Sequence, residues 1–186
     1  MTNAFGYLTV LISIILGLGI THLLSSVARW ISRRATIKFY WPTFVWILVV
    51  LVLIVQVWWV DFSLSGQRQW TLAGFASTLL IPAVLYLMSF LVVNESDDMR
   101  ATYFENRVWF FSLLMSISFF GALQQLLVEG HVHGGVDLIA KSAGEILIVG
   151  AIIFRSDSGQ KIFAIVGIVF IVAYVWGLFY YLPTPA

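Results

Sequence analysis

Three charged residues stand four positions apart in an otherwise apolar segment: Asp137, Lys141 and Glu145. This spacing places their side chains on one face of an α-helix. A charge at the centre of a membrane helix costs about 2.5–3.5 kcal/mol on insertion scales, so such residues face the bundle interior, water or each other. One interpretation is a polar pathway in which Glu145 binds a proton or an ion beside Lys141. The other is a self-neutralising pair that fixes the rotation of the helix or docks a neighbouring subunit.

Two amides and a histidine extend this polar set. Gln56 and Gln125 lie in the outer parts of two other apolar segments, where they could line a cavity with Lys141. The alternative is hydrogen bonding between helices, worth about 0.6 kcal/mol on average. His22 lies toward the inner end of the first apolar segment. Because histidine titrates near physiological pH, His22 is either a proton-responsive group or a hydrogen-bonded packing residue.

A ladder of small residues occupies the first apolar segment, and Ser13, Gly17, Thr21 and Ser25 stand four apart. Small residues allow another helix backbone to approach closely. We therefore interpret the ladder as a packing seam, either within the bundle or between subunits.

A loop further along the chain contains His131 and His133. Histidines two apart in an extended segment can share a metal ion, and nearby carboxylates can complete its coordination. Solvated histidines in a short, glycine-rich loop are the more common explanation of this pattern.

The sequence contains no recognisable catalytic motif. H-E-x-x-H, G-x-S-x-G and the phosphate-binding G-x-x-x-x-G-K-[ST] are all missing, and there is no cysteine. We therefore predict no catalytic residue and no cofactor, and an enzyme is the least favoured class.

The composition identifies the class of protein. Hydrophobic residues make up 61% of the 186 residues and charged residues 10%, whereas soluble domains are about 45–50% apolar and about 25% charged. The mean hydropathy is +0.97 and the formal net charge is +1. These values exclude a soluble enzyme or a nucleic-acid module, and they make the lipid bilayer the first partner.

Six stretches are apolar over roughly the 20 residues that a membrane helix needs. None alternates with the period of two that is typical of barrel strands. The predicted fold is an all-α, six-helix transmembrane bundle over residues 1–186 with no soluble domain. The predicted spans are 4–28, 40–60, 70–93, 107–128, 136–154 and 162–182.

Charge predicts the orientation of the bundle. The loops after the first, third and fifth spans hold eight of the ten Lys and Arg residues, and the opposite side holds only Arg68 outside the spans. Positive loops remain in the cytoplasm, so both termini face outward. Met1–Tyr7 lacks the basic residues of a cleavable signal, so the first segment is expected to remain as a span. We expect the inner membrane of a bacterium.

Pro82 stands in the middle of the third span. Proline removes one backbone hydrogen bond and tends to kink a helix, here at the carbonyl of Thr78. Broken helices mark binding sites in some transporters. Because proline is common in membrane helices, a purely structural role is the favoured interpretation.

Two functional classes follow. The first is a homo-oligomeric channel or transporter for a small ion, a proton or a polar solute, with Lys141 and Glu145 lining the route and His22 nearer its inner end. The second is a non-transporting scaffold, sensor or defence-type effector, which recruits a protein through the charged loop 94–107. That loop is also consistent with an ordinary solvated connection.

Overall fold

A computed structural model describes residues 4–67, 69–93, 97–132 and 134–179. Arg68, His133, residues 94–96 and the end of the sixth predicted span at 180–182 lie outside this part. The described chain is all-helical, with no β-strand among its residues, as the sequence predicts. Its elements are α1 (Ala4–Ser32), α2 (Trp41–Asp61), a short 3-10 helix (Phe62–Gly66), α3 (Leu72–Thr78), α4 (Leu80–Val92), α5 (Met99–Val128), α6 (Val136–Ile153) and α7 (Asp157–Phe179).

Five helical segments are long and apolar enough to cross a membrane. They correspond to α1, α2 with the 3-10 helix, α3 with α4, α5, and α7. The helix α6 is not among them; it has 18 residues and contains Asp137, Lys141 and Glu145. The membrane class predicted from composition therefore agrees with the structure, and five of the six predicted spans have a matching candidate helix.

The helix α5 begins at Met99, eight residues before the predicted membrane span at 107–128. Its N-cap explains this start, because the Asp98 carboxylate accepts a hydrogen bond of 3.0 Å from the backbone N–H of Ala101. That bond, followed by the contact with the Lys38 ammonium, holds the pKa of Asp98 below its ordinary value. The polar residues that follow Asp98 thus form the first turns of a helix and not a loop.

The third predicted span is interrupted at Leu79, between α3 and α4. Pro82 explains this break, since it has no N–H to donate to the Thr78 carbonyl four positions earlier. Next to the break, the hydroxyls of Ser77 and Thr78 donate to the carbonyls of Gly74 and Phe75 at 2.8 and 2.7 Å. The side chains in this region therefore satisfy carbonyls of their own helix and offer no evident ligand site.

The helices pack in a connected sequence around an apolar core. The helix α1 packs chiefly on α4, α4 also contacts α2 and α5, and α7 packs against both α2 and α6. The Trp46 ring meets Phe110 and Phe111 edge-on, at 5.7 and 4.9 Å between centroids. The buried residues of α5 all lie between Met99 and Phe111. The core therefore fills one half of the bundle more completely than the other.

Ion pairs join three connections at one end of the bundle. Arg33 bonds Asp97 at 2.7 Å and Lys38 bonds Asp98 at 3.2 Å, so the α1–α2 connection meets the start of α5. Arg100 then bonds Asp157 at the start of α7, at 3.0 Å. We call this the basic end. At the opposite end the Gln67 side chain donates to the Val128 carbonyl at 3.3 Å.

Candidate functional site

An aspartate shared by two helices forms the centre of the candidate site. The Lys141 ammonium lies 2.6 Å from Oδ2 of Asp137, one turn away on α6. The Tyr174 hydroxyl of α7 donates to the other oxygen of Asp137 at 2.8 Å. Both carboxylate oxygens therefore have strong donors, and the aspartate joins α6 to α7.

A glutamine from a third helix completes this group. Gln56 of α2 lies beside the Tyr174 hydroxyl, which is possible because α7 packs against both α2 and α6. We call Gln56, Asp137, Lys141 and Tyr174 the polar cluster. The Lys141 and Asp137 side chains are 29% and 21% exposed. The ion pair is therefore only partly covered by the other described helices.

Glu145 shares the helix face of Lys141 but not its ion pair. Lys141 bonds Asp137, and Glu145 makes no hydrogen bond or ion pair with any residue of the described ranges. This differs from the expected partnership of Lys141 with Glu145. The Glu145 side chain is half-buried, and it extends the polar surface from Asp137 toward the middle of α6.

Most of α6, which carries Asp137 and Lys141, is not buried by the other helices. Ala151 is the only buried residue of α6, all of which the structure describes. The helix α6 packs closely on α7 at Gly144. A Cβ added to this glycine would lie 3.1 Å from the Phe170 ring, so a larger residue would not fit without a shift. We call the half-buried surface formed by the polar cluster and Glu145, on α2, α6 and α7, the polar groove.

A second group of polar residues lies at the basic end of the bundle, where α6 ends and α7 begins. The Arg107 guanidinium is buried and donates to the carbonyls of Ala151 and Phe154, at 2.6 and 3.2 Å. Gln160 donates to the same two carbonyls, and its oxygen accepts the Tyr103 hydroxyl at 2.7 Å. We call Tyr103, Arg107 and Gln160 the Arg107 cluster. Cations at the C-terminus of a helix interact favourably with the helix dipole, which explains why the Arg107 guanidinium binds carbonyls at the end of α6.

The Arg107 cluster was not predicted from the sequence, where Arg107 reads as a charge of the cytoplasmic loop 94–107. The available signal is helical spacing: Arg107 stands four residues before Phe111, a core residue, on the same face of α5. No sequence pattern links it to Gln160, 53 positions later in the numbering.

His22 lies away from the polar groove. Its ring stacks on Phe90 of α4 with 3.9 Å between centroids, and its carbonyl accepts the Ser26 hydroxyl at 2.9 Å. Because α1 packs chiefly on α4, the structure does not bring His22 to Lys141 or Glu145. The ring is a packing element of the α1–α4 contact, and a proton-responsive role stays a prediction.

The glutamines of α5 take different positions. The Gln124 amide donates to Asp61 of α2, at 3.4 Å. Gln125 is half-buried, and its carbonyl accepts the backbone N–H of Glu129 at 2.8 Å. Two amides were predicted to accompany Lys141. The structure places Gln56 in the polar cluster, whereas Gln125 lies on α5, which contributes no residue to that cluster.

The small-residue ladder faces away from the described helices. Ser13, Thr21 and Ser25 are exposed, and a Cβ added to Gly17 would meet nothing within 4 Å. The ladder is thus not a packing seam within the described bundle. A seam between subunits stays a prediction.

The histidine loop shows no metal geometry in the described residues. His131 Nδ1 lies 3.1 Å from the Glu129 carbonyl, and His133 lies outside the described residues. Within the described ranges, no three His, Cys, Asp or Glu side chains are grouped closely enough to hold a metal ion.

Comparison with known proteins adds no relative from which a role could be transferred. No protein family, characterised protein or solved structure matches the chain.

Proposed function

We propose that this chain is a channel or transporter for a small ion, a proton or a small polar solute. The observation that carries the proposal is the Asp137–Lys141 ion pair, which Tyr174 of a second helix completes in the polar groove. Ionisable residues at membrane depth are by default candidates for substrate or proton pathways. Asp137 and Lys141 are the binding residues in this proposal, with Gln56 and Tyr174 beside them.

The Asp137–Lys141 pair can exchange one of its charged partners for a bound ion. Asp137 satisfies Lys141 when no ligand is bound, so the empty site carries no uncompensated charge. A cation or a proton can replace the ammonium at the carboxylate, and an anion can replace the carboxylate at the ammonium. Glu145, without an ion pair among the described residues, offers the next carboxylate deeper in the groove.

We further propose that α6 crosses the bilayer as a sixth span. Its 18 residues correspond to about 27 Å at 1.5 Å per residue, against about 30 Å for the hydrocarbon core. Packing on α5 and α7 supports this assignment, because those contacts can shelter its charged face from lipid. The proposed orientation has the basic end in the cytoplasm and both termini outside, in a bacterial inner membrane.

Assembly into homo-oligomers is part of the proposal. Seven described helical segments leave the polar groove half-buried, and a second copy would enclose it more completely. The exposed ladder of Ser13, Gly17, Thr21 and Ser25 supports such a contact, since small residues favour close helix approach in lipid.

Flux measurements on purified protein in liposomes test this function. We expect proton or ion flux above that of empty liposomes, and a severalfold reduction in Glu145→Gln, because the amide cannot exchange a proton or carry a charge. Glu105→Gln, an exposed site near the start of α5, is the matched control and should keep wild-type flux. Unchanged flux in a folded Glu145→Gln variant would remove Glu145 from the pathway.

The scaffold alternative receives less support from the contacts. Asp97, Asp98 and Arg100 of the loop 94–107 are already engaged in ion pairs with Arg33, Lys38 and Asp157. A partner would have to replace these bonds. Liposomes without flux, together with a protein that co-purifies stably through this loop, would favour the alternative.

A further inference from the structure

A second carboxyl group is buried at the opposite end of α2 from the basic end. Asp61, the last residue of α2, is 8% exposed. Its Oδ1 accepts the Gln124 amide of α5 at 3.4 Å, and its Oδ2 is buried with no hydrogen-bond partner among the residues that the structure describes. The carboxyl group therefore has one neutral donor and one open oxygen.

None of the described Lys, Arg or His residues forms an ion pair with Asp61. From α5 the facing side chain is Gln124, and the adjoining 3-10 helix offers the hydroxyls of Ser63 and Ser65, of which Ser63 donates to the Val60 carbonyl. On α7 and α6, the titratable groups Tyr174 and Lys141 each bond an oxygen of Asp137.

Asp61 is separate from the polar groove. Asp61 stands five positions after Gln56 along α2, which places their side chains about 140° apart around the helix. Gln56 faces Tyr174 of α7, whereas Asp61 faces Gln124 of α5. The two sites thus belong to different helix contacts.

Asp61 is buried, and no cation of the described residues is paired with it, so its protonation state follows from its apolar surroundings. An isolated ionised carboxylate is strongly unfavourable in an apolar environment, and such a group is neutralised instead. We propose that Asp61 is a proton-binding site, whose carboxyl group holds a proton on Oδ2 while Gln124 positions Oδ1. The geometry fits a neutral acid, because its carbonyl oxygen accepts the Gln124 amide and the proton on Oδ2 removes a charge that burial makes unfavourable. This proposal does not depend on the proposed function.

Infrared difference spectroscopy on the full chain in lipid tests the site. Wild type minus Asp61→Asn at neutral pH should show loss of the carbonyl band of a protonated carboxylic acid, shifted in heavy water. Asp137→Asn is the matched control, and it should lose only carboxylate bands, because Asp137 is paired with Lys141. Loss of carboxylate bands alone in Asp61→Asn would overturn the proposal.

If Asp61→Asn does not fold, the variant Gln124→Leu tests the same carboxyl group through its infrared band. Gln124→Leu removes the donor to Oδ1 and should shift the acid band to higher frequency without abolishing it. An acid band that is unchanged in Gln124→Leu would contradict the positioning role.

Thermal unfolding supplies an independent measurement. Because the folded state holds the proton more tightly than the unfolded chain, this stabilisation is present at low pH and is lost as pH rises. The Tm of wild type should therefore fall with rising pH relative to that of Asp61→Asn. A wild-type Tm that rises with sodium concentration at constant pH, and only when Asp61 is present, would identify a cation site instead and overturn the proton assignment.

Discussion

Replacing Arg107 with leucine is expected to lower the free energy of unfolding by about 2–3 kcal/mol, since a hydrogen bond to a charged group contributes about 1.5–3 kcal/mol. The guanidinium is buried and donates to two carbonyls at the end of α6. Leucine fills part of the space but donates nothing, so these carbonyls retain only the Gln160 amide. Denaturant titration of the protein in mixed micelles, followed by circular dichroism, measures the change.

Arg100→Leu is the matched control for this experiment. Arg100 stands two turns earlier on α5, it is exposed, and its partner Asp157 keeps a second ion pair with Lys161 at 2.6 Å. Its replacement should change stability little, because exposed ion pairs are screened by solvent. Equal destabilisation by Arg100→Leu and Arg107→Leu would show that the buried position of Arg107 is unimportant.

Replacing Lys141 with glutamine is expected to reduce flux in liposomes about tenfold, which corresponds to about 1.4 kcal/mol. The substitution leaves the Asp137 carboxylate with Tyr174 and no compensating charge, so a cation that enters is held more tightly and released more slowly. The same variant should favour cations over anions more strongly than wild type does. Both quantities follow from ion gradients set across the liposome membrane.

Lys161→Gln provides a closely matched control. Lys161 pairs with Asp157 four residues earlier at 2.6 Å, the same spacing and distance as in the Asp137–Lys141 pair, but at the basic end of α7. Its flux and selectivity should equal those of wild type. If Lys161→Gln reduces flux as much as Lys141→Gln, the effect is a general one of surface charge and not of the polar groove.

Local sequence patterns account for the helices and for part of the site. Long apolar stretches predict the spans because backbone groups in lipid must bond within the helix. Pro82 predicts the break at Leu79, because the missing N–H acts within one turn. The spacing of Asp137 and Lys141 likewise predicts a shared helix face.

The choice of Asp137 over Glu145 as the partner of Lys141 has a local reason that the sequence analysis did not use. An acidic residue four positions before a lysine pairs better than one four positions after it, because that order agrees with the helix dipole. Asp137 has the favoured order and Glu145 the other.

Contacts between distant helices could not be predicted in this way. Gln56 and Tyr174 come together only because α7 packs on α2. Arg107 donates to backbone carbonyls at the end of α6. Every residue has a backbone carbonyl, so no side-chain pattern in the sequence identifies the partner of Arg107. The start of α5 at Met99 depends on the Asp98 cap, whose contact with Lys38 likewise requires the tertiary fold.

A polar pathway that passes Glu145 requires water at that depth, and cysteine accessibility tests this requirement most directly. The chain has no cysteine, so single variants give an unambiguous signal. A thiol reacts as the thiolate, which forms in water and not in hydrocarbon. Glu145→Cys in sealed vesicles should react with a charged, membrane-impermeant thiol reagent. Ile146→Cys, next to it and 73% exposed on the outside of the bundle, should remain unmodified. An inert Glu145→Cys, or equal reaction at both positions, would contradict the account.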